Sequence, residues 1–167
     1  MKKSQVIKFA KKLNSTNLSA LRSGNISIIA KERGVKGFYI TPSGKKYSSL
    51  KTKDIIFVSL KGKFDRKKGK PSSEWRFHQD IYVNKKDAKA IVHAHSTCAT
   101  AVSTHQKSIP AFHYMVAVAG GEDIKCAKYS TFGTRNLSKN ILTALKKRSA
   151  CLISNHGQIA FGENLEK

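Results

Sequence analysis

The sequence lacks any long uninterrupted apolar segment. Of its 167 residues, 40% are hydrophobic, an ordinary fraction for a globular protein, but no run of about 18 or more apolar residues occurs. The N-terminus starts like a signal peptide, but Lys8, Lys11 and Lys12 interrupt the apolar stretch that should follow. The sequence therefore predicts neither a transmembrane helix nor a signal peptide. Its length suffices for one domain with a sizeable core.

Cysteine is also scarce. Cys98, Cys126 and Cys151 are widely spaced, and no CxxC motif is present. An odd number of cysteines at such spacing argues against a disulfide framework, which is typical of small secreted proteins. We therefore expect reduced thiols in the core of a cytoplasmic protein, and we expect Cys98 in particular to be a small buried side chain.

Acidic residues are few. The chain has 10 Asp and Glu against 32 Lys and Arg, a formal net charge of +22. Many nucleic-acid binders have this composition, but here most lysines are dispersed, and aromatic residues are not interleaved with them for base stacking. Nucleic acid is therefore not the expected partner. The positive field would equally attract an anionic substrate such as a sugar phosphate.

Helical and extended patterns mix along the chain. Apolar spacing predicts helices over residues 4–13, 71–82, 97–103 and 138–147, and strands over residues 25–29, 38–40, 55–59, 91–96 and 150–154. The apolar stretch 110–118 is expected to be a further strand. No internal repeat or low-complexity segment is present. These patterns predict an α/β or α+β fold with several antiparallel neighbours in its sheet.

Two histidines occupy alternate positions of the short apolar segment 91–96. Because side chains alternate between the two faces of a strand, His93 and His95 are expected to project from one face, close enough to share one ion. Neutral imidazoles suit Zn²⁺, which takes four ligands, or three protein ligands and one open position in a catalytic site. Two satisfied polar residues at a strand end would produce the same pattern.

His156 and Glu74 are the candidates that would complete such a site. His156 follows the last strong strand, and strand ends are where ligand-binding groups collect in α/β sheets. The alternative for His156 is a turn histidine exposed to water. Glu74 stands at a predicted helix start, where an acidic side chain favours the helix dipole. The alternative for Glu74 is an acid that only caps this helix.

Three polar segments are candidates for binding an anion. They are Gly24 with Asn25, Ser43 with Gly44, and Ser72 with Ser73. Glycine-bearing turns of this kind wrap phosphate groups, and the free N–H groups of a helix start make an anion pocket. Each segment alone is a common feature. His78 lies one turn after Glu74 and is expected to be structural or to support the site.

Six motifs follow one another along the chain. They are Gly24-Asn25-Ile26-Ser27, Thr41-Pro42-Ser43-Gly44, Pro71-Ser72-Ser73-Glu74-Trp75-Arg76-Phe77-His78, Val92-His93-Ala94-His95, His113-Tyr114-Met115 and Asn155-His156-Gly157. In this order they resemble the class II (zinc-dependent) aldolases of the L-fuculose-1-phosphate aldolase type. The resemblance covers essentially the whole chain, and the ordered combination is far more specific than any one motif.

The resemblance implies a fold, a metal and a set of roles. It implies a single domain with a central, largely antiparallel sheet flanked by helices, assembled as a homotetramer. His93, His95 and His156 would bind one Zn²⁺ per chain. Glu74 would be a fourth ligand at rest and the general base once substrate displaces it.

The resemblance also implies the substrate contacts. The phosphate would be held by Gly24, Asn25, Ser43, Gly44, Ser72 and Ser73. Phe132 would line the pocket, and Tyr114 would reach into the site of a neighbouring subunit as proton donor. The implied reaction is reversible cleavage of a ketose 1-phosphate, such as L-fuculose 1-phosphate. Its products would be dihydroxyacetone phosphate and a small aldehyde such as lactaldehyde.

Other functions on the same scaffold stay open as alternatives. Relatives that are sugar-phosphate 4-epimerases tend to carry Asp in place of Glu74, and adducin-like binding modules lose zinc ligands that this chain keeps. A non-catalytic basic binding module is the remaining alternative. The chain stops at Lys167, whereas family members continue with further helices and a tail. Residues 1–167 are therefore expected to form the domain without those C-terminal elements.

Overall fold

The computed structural model describes residues 1–166, which form four α-helices and one sheet of seven strands. The helices are α1 (Lys2–Ser15), α2 (Trp75–Asn84), α3 (Thr97–Thr104) and α4 (Arg135–Ala144). The strands are β1 (Asn25–Glu32), β2 (Val35–Ile40), β3 (Ile56–Ser59), β4 (Ala90–Ala94), β5 (Cys126–Ala127), β6 (Ala150–Ile153) and β7 (Gly157–Gly162). Among these described residues, no helix combines the length and apolar character needed to cross a membrane.

The sheet has the strand order β3-β2-β1-β4-β7-β6-β5. Every neighbouring pair is antiparallel except β5 and β6, which are parallel. This confirms the predicted mixed class and the largely antiparallel sheet. Strand β4 lies at the centre, between β1 and β7, although β7 is far from it in the chain.

A two-residue turn joins β1 to β2. Arg33 and Gly34 both have positive φ, 49° and 82°, and Glu32 pairs with Val35 across the turn. Positive φ at both central residues is the geometry whose twist matches that of the flanking strands. The turn therefore sets the register of β1, and with it the face to which each β1 side chain points.

The two faces of the sheet carry separate cores. On one face α1 packs Val6, Ala10 and Leu13 against Ile26 and Ile28 of β1. On the other face α2 and α4 pack apolar side chains at helical spacing against the sheet: Phe77, Ile81, Leu137 and Ile141. The chain thus forms three layers, with the sheet in the middle. Alternation along β1 turns Asn25 and Ser27 toward the α2 layer, where both are buried.

The expected strand over residues 110–118 is wrong. Tyr114–Ala119 forms a 3₁₀ helix instead. The side chain of His113 caps it, because its Nδ1 atom accepts a hydrogen bond from the Met115 N–H at 3.2 Å. Gly120 ends it in the left-handed region, with φ 93°. The apolar side chains of this segment are largely exposed, so they do not contribute to a sheet face.

Further expectations need correction. The predicted helix over 71–82 begins only at Trp75, and the predicted strand over 91–96 ends at Ala94. Helix α4 begins three residues before the predicted 138–147 helix, because the Thr134 hydroxyl caps it by accepting a hydrogen bond from the Leu137 N–H at 3.2 Å. Of the three cysteines, Cys151 alone is buried; Cys126 is half-buried and Cys98 is exposed. Cys98 lies in the first turn of α3, which faces solvent.

The packing of α2 against the sheet can be tested with two substitutions in the same helix. Ile81 is 0% exposed and Val83 is 56% exposed. Ile81→Ala should lower the free energy of unfolding by about 2–5 kcal/mol, since it leaves a cavity under the helix. Val83→Ala should change it by no more than about 0.5 kcal/mol. Urea denaturation measures both, and equal losses would contradict this packing.

Candidate functional site

The sheet brings the three histidines together. His93 lies in β4 and pairs with Asn25 on one side and with Ile159 on the other. His156 occupies the turn between β6 and β7, and β7 runs beside β4, so this turn lies next to His95. The rings of His93, His95 and His156 lie 4.7 to 4.8 Å apart between centroids. The predicted clustering of these three side chains is therefore present.

Two glycines allow the backbone to approach this end of β4. A Cβ atom on Gly157 would lie 2.4 Å from the Ala94 carbonyl oxygen. A Cβ atom on Gly24 would lie 2.7 Å from the His93 carbonyl oxygen and 2.6 Å from the Ser19 hydroxyl, and Gly24 also has a positive φ of 76°. Only glycine avoids both the contact and the backbone strain at position 24.

Glu74 points its carboxylate into the histidine cluster. It occupies the position before α2 and is buried. Its Oε2 atom lies 3.2 Å from Nε2 of His93, and its Oε1 atom lies 3.3 Å from Nε2 of His156. The side chain makes no capping hydrogen bond to the helix. The alternative of a carboxylate that only caps α2 therefore does not describe this residue.

The four side chains form a donor set that fits a metal ion. One ligand atom from each of Glu74, His93, His95 and His156 lies within 4.8 Å of all the others. Nδ1 of His93 lies 2.8 Å from the Gln158 carbonyl oxygen. A carbonyl oxygen only accepts, so Nδ1 carries a proton. In the neutral form of the ring, Nε2 then presents its lone pair to the cluster, as a metal ligand must.

Two contacts in this cluster are left for a cation to complete. Nε2 of His95 lies only 2.8 Å from Nε2 of His93, so both nitrogen atoms are directed at the same point. Oε1 of Glu74 is buried without a hydrogen-bond partner among the described residues. Three imidazole nitrogens and one carboxylate oxygen are a ligand set that Zn²⁺ accepts in proteins.

The electrostatics of the site favour the metal-binding protonation states. Burial alone would raise the pKa of the Glu74 carboxyl, but His93, His156 and the Asn25 amide outweigh it and lower the pKa to about 2. Burial, together with repulsion from His93 and His156, lowers the pKa of His95 to about 4. Burial also lowers the pKa of His156. At neutral pH the carboxylate is therefore ionised, and the imidazoles of His95 and His156 are neutral.

A pocket of about 400 Å³ opens beside the cluster. Seven residues are predicted to contact substrate within a single chain, and all of them line this pocket: Gly24, Asn25, Ser43, Gly44, Ser72, Ser73 and Phe132. Two backbone hydrogen bonds join their segments, from Ser43 N–H to Lys70 O at 3.1 Å and from Ser72 N–H to Thr41 O at 3.0 Å. Glu74, His95 and His156 line the same pocket, while His93 is buried behind them.

The side chain of Asn25 faces the carboxylate. Its Nδ2 atom donates to Oε2 of Glu74 at 2.9 Å, and its Oδ1 atom lies 2.5 Å from Nε2 of His78. Both ends of the amide therefore have partners inside the protein. His78 is fully buried, in agreement with the expectation that it is structural or supports the site.

Several pocket residues escaped the sequence reasoning. Arg22, Ser23, Tyr129, Ser130 and Asn155 also line the pocket. Arg22 is the one Lys or Arg of this lining, and its Nη1 donates to the Gly44 carbonyl oxygen at 2.9 Å. The residues before Gly24 show no periodicity, so the only available signal was an arginine two positions ahead of a glycine turn.

Tyr114 lies elsewhere on the surface. It is 79% exposed in the 3₁₀ helix and lines a separate hollow with Phe112 and Gly120. Within one chain it does not line the pocket beside Glu74. Any contact between Tyr114 and a pocket of this kind therefore requires a second copy of the chain.

Comparison with known proteins gives a consistent assignment. The profile of the family described as "Class II Aldolase and Adducin N-terminal domain" matches residues 4–167. The L-fuculose phosphate aldolase of Escherichia coli (strain K12) is 45% identical over 163 residues, which are 98% of this chain and 74% of that protein. The 5-methylthioribulose-1-phosphate/5-deoxyribulose-1-phosphate aldolase of Rhodospirillum rubrum is 43% identical over 161 residues, 96% of this chain and 71% of that protein.

A solved structure is also similar over nearly the whole fold. An L-fuculose 1-phosphate aldolase superimposes with a TM-score of 0.91 at 39% sequence identity, covering 99% of this chain and 76% of that chain. Sequence and structure thus agree over the same extent of the chain. The chain belongs to the class II aldolase and adducin N-terminal domain family.

Proposed function

We propose that this protein is a zinc-dependent aldolase that reversibly cleaves a ketose 1-phosphate into dihydroxyacetone phosphate and a small aldehyde. The observation that carries the proposal is the ionised Glu74 carboxylate among three imidazoles, beside a pocket lined by serine and glycine turns. The names of the two relatives, L-fuculose phosphate aldolase and 5-methylthioribulose-1-phosphate/5-deoxyribulose-1-phosphate aldolase, share a sugar phosphate as substrate. They support this class of substrate.

His93, His95, His156 and Glu74 would hold the zinc ion. Three observations support this assignment: the clustering of the four donors, the Nε2 atom of His93 turned toward the cluster, and the Oε1 atom of Glu74 buried without a hydrogen-bond partner. A bound zinc ion would supply a Lewis acid that stabilises negative charge on the substrate oxygens. Glu74, His95 and His156 line the pocket, so a substrate entering the pocket meets them directly.

Glu74 would be a zinc ligand only at rest, and once substrate displaces it, it would move the proton at carbon. In the direction of synthesis, its carboxylate takes a proton from the carbon next to the carbonyl of dihydroxyacetone phosphate, and that carbon then bonds to the aldehyde. In cleavage the steps reverse, and the protonated carboxyl returns the proton to the same carbon. An ionised carboxylate that lines the pocket is suited to this transfer, since a general base must reach the proton that it removes.

The phosphate would be held by the serine and glycine turns that line the pocket. Gly24, Asn25, Ser43, Gly44, Ser72 and Ser73 offer hydroxyl groups and the backbone of these turns. Asn25 would take part through its main chain alone, because its side-chain amide is engaged by Glu74 and His78. Arg22 adds a positive charge, and one donor of its guanidinium is already fixed on the Gly44 carbonyl. The remaining donors match a phosphate group in geometry and charge. Phe132 would form part of the wall of the same pocket.

Tyr114 would act in the site of a neighbouring subunit of a homotetramer. In synthesis its phenol donates a proton to the aldehyde oxygen as the carbon–carbon bond forms, and in cleavage it takes that proton back. The exposed apolar residues around it support burial against another copy: Phe112, Met115 and Val118.

The free cysteines support a reducing compartment, the cytoplasm.

Metal content tests the proposed site directly. The purified, tag-free protein supplied with zinc should bind about one zinc ion per chain, since the four ligands form one site. His93→Ala should lose most of this zinc, because it removes the most buried ligand. His105→Ala, at an exposed histidine outside the cluster, should keep it. Elemental analysis measures all three; equal zinc in both variants would refute the site.

Glu74→Gln tests the proposed base. It keeps the shape of the side chain but removes its basicity, so turnover should fall at least about 100-fold. Release of dihydroxyacetone phosphate from a panel of ketose 1-phosphates is the assay, with zinc content measured in parallel. Glu166→Gln, at an exposed position, is the control. Near-normal turnover by Glu74→Gln would show that Glu74 is not the base. If the wild-type protein produced an epimerised sugar phosphate and no triose phosphate, the reaction would be an epimerisation and not the proposed cleavage.

Arg22→Ala tests the phosphate contact. A hydrogen bond to a charged group contributes about 1.5–3 kcal/mol, so kcat/KM should fall about 10- to 100-fold, mainly through KM. Arg22→Lys should recover part of the loss, because it keeps the charge without the planar fork. Arg66→Ala removes the same charge from an exposed site outside the pocket and should leave KM unchanged. An unchanged KM in Arg22→Ala would exclude this contact.

A further inference from the structure

A chain of buried hydrogen bonds leads away from Glu74 toward the interior, and its direction can be deduced. A carboxylate only accepts hydrogen bonds, so Asn25 presents its Nδ2 donor to Glu74 at 2.9 Å. The Oδ1 atom of the same amide must then face His78, whose Nε2 lies 2.5 Å away. An amide oxygen also only accepts, so Nε2 of His78 carries the proton.

The deduction continues on the other side of the ring. A neutral imidazole has one N–H, so Nδ1 of His78 is an acceptor. The Ser27 hydroxyl, at 2.7 Å, is its donor. The Ser27 oxygen in turn accepts from the Tyr82 hydroxyl at 2.8 Å. Every step from Tyr82 to Glu74 thus has its donor and acceptor assigned.

The ring of His78 has no freedom to rearrange. It is 0% exposed and stacks on Phe77 at 4.8 Å between centroids and on Phe38 at 6.4 Å. Burial is the largest of the effects that lower the pKa of His78 to about 3, so the ring is neutral at physiological pH. Only one of its two tautomers agrees with an ionised Glu74.

We propose that His78 is a positioning residue whose Nε2–H tautomer fixes the orientation of the Asn25 amide, and thereby holds the Glu74 carboxylate in place among the three histidines. This inference rests on the proposed function, in which Glu74 is a zinc ligand and base. His78 itself touches neither the pocket nor the metal ligands' donor atoms. It acts through Asn25.

The reverse arrangement shows why the tautomer matters. If the Asn25 amide were flipped, its oxygen would face the Glu74 carboxylate, and two acceptors would meet in a buried site. Nε2 of His78 would have to give up its proton, and Nδ1 would donate to Ser27 instead. Such a contact between buried acceptors costs the full desolvation of both groups. The tautomer of His78 therefore selects the side of the amide that Glu74 meets.

The tautomer can be measured without any enzymatic activity. The protein is labelled with ¹⁵N-histidine, and long-range ¹H–¹⁵N spectra are recorded with and without added zinc. The ring signals of His78 are identified by their loss in His78→Gln. Both spectra should show a protonated Nε2 and a bare Nδ1, which a merely structural histidine need not show. A proton on Nδ1 would overturn the proposal.

Two variants of His78 test the consequence. His78→Leu fills the buried space of the ring with an apolar side chain but removes the N–H donor to Asn25. The kcat and the zinc affinity should therefore fall about 10- to 100-fold, the usual effect of losing a hydrogen bond that orients a metal ligand. The KM should change much less, because His78 has no hydrogen bond to the phosphate contacts other than Asn25. His78→Gln retains an N–H donor and should recover part of both losses. Chelator competition measures zinc affinity.

A matched control separates positioning from loss of stability. Ile81→Ala destabilises the same helix but has no hydrogen bond to the network, so its folded fraction should keep wild-type kcat and zinc affinity. Equal losses in Ile81→Ala and His78→Leu would overturn the proposal. If the wild type released no triose phosphate, the proposed reaction would fail, whereas the tautomer and the zinc affinities would still decide the role of His78.

Discussion

The buried negative charge of Glu74 is the constraint on which the rest of the site depends. A carboxylate removed from water is costly unless it is paired and hydrogen-bonded. Here the imidazoles of His93 and His156 lie on one side of it and the Asn25 amide lies on another. These groups come from β4, from the β6–β7 turn and from the start of β1. The charge therefore stabilises the pocket only when three distant parts of the sheet are assembled.

The central strand makes that assembly possible. Because β4 pairs with β1 on one side and with β7 on the other, Asn25 and the turn holding His156 meet at the same end of the sheet. Gly24 and Gly157 have no Cβ atom, so their backbones can lie close to the carbonyl oxygens of His93 and Ala94 at the end of β4. Helix α2 begins just above it, which brings Glu74 and Ser72 to the pocket. The scaffold thus places the acid, the imidazoles and the serine and glycine turns together without any long insertion.

Local signals in the sequence account for the parts that could be predicted. The alternation of His93 and His95, the helical spacing after Glu74 and the glycine turns are short-range patterns, and the structure contains them. The adjacency of β4 and β7 is long-range and has no local signature. The place of His156 at a strand end made it a candidate ligand, and the family resemblance supported that choice over a turn histidine exposed to water. The prediction of a strand over 110–118 was wrong because an apolar pattern does not show whether other side chains bury these residues. The direction of the hydrogen bonds around His78 and the place of Arg22 depend on packed side chains, which spacing does not encode.

Both ends of the sheet are short. Strand β3 has four residues and β5 has two, and lysines such as Lys53 and Lys61 flank the β3 end. Short, charged edges resist pairing with the strand of another chain, which would otherwise extend the sheet from molecule to molecule. Neither edge of the described sheet therefore offers a long row of free backbone groups to a strand of another chain, and growth of the sheet from molecule to molecule is disfavoured.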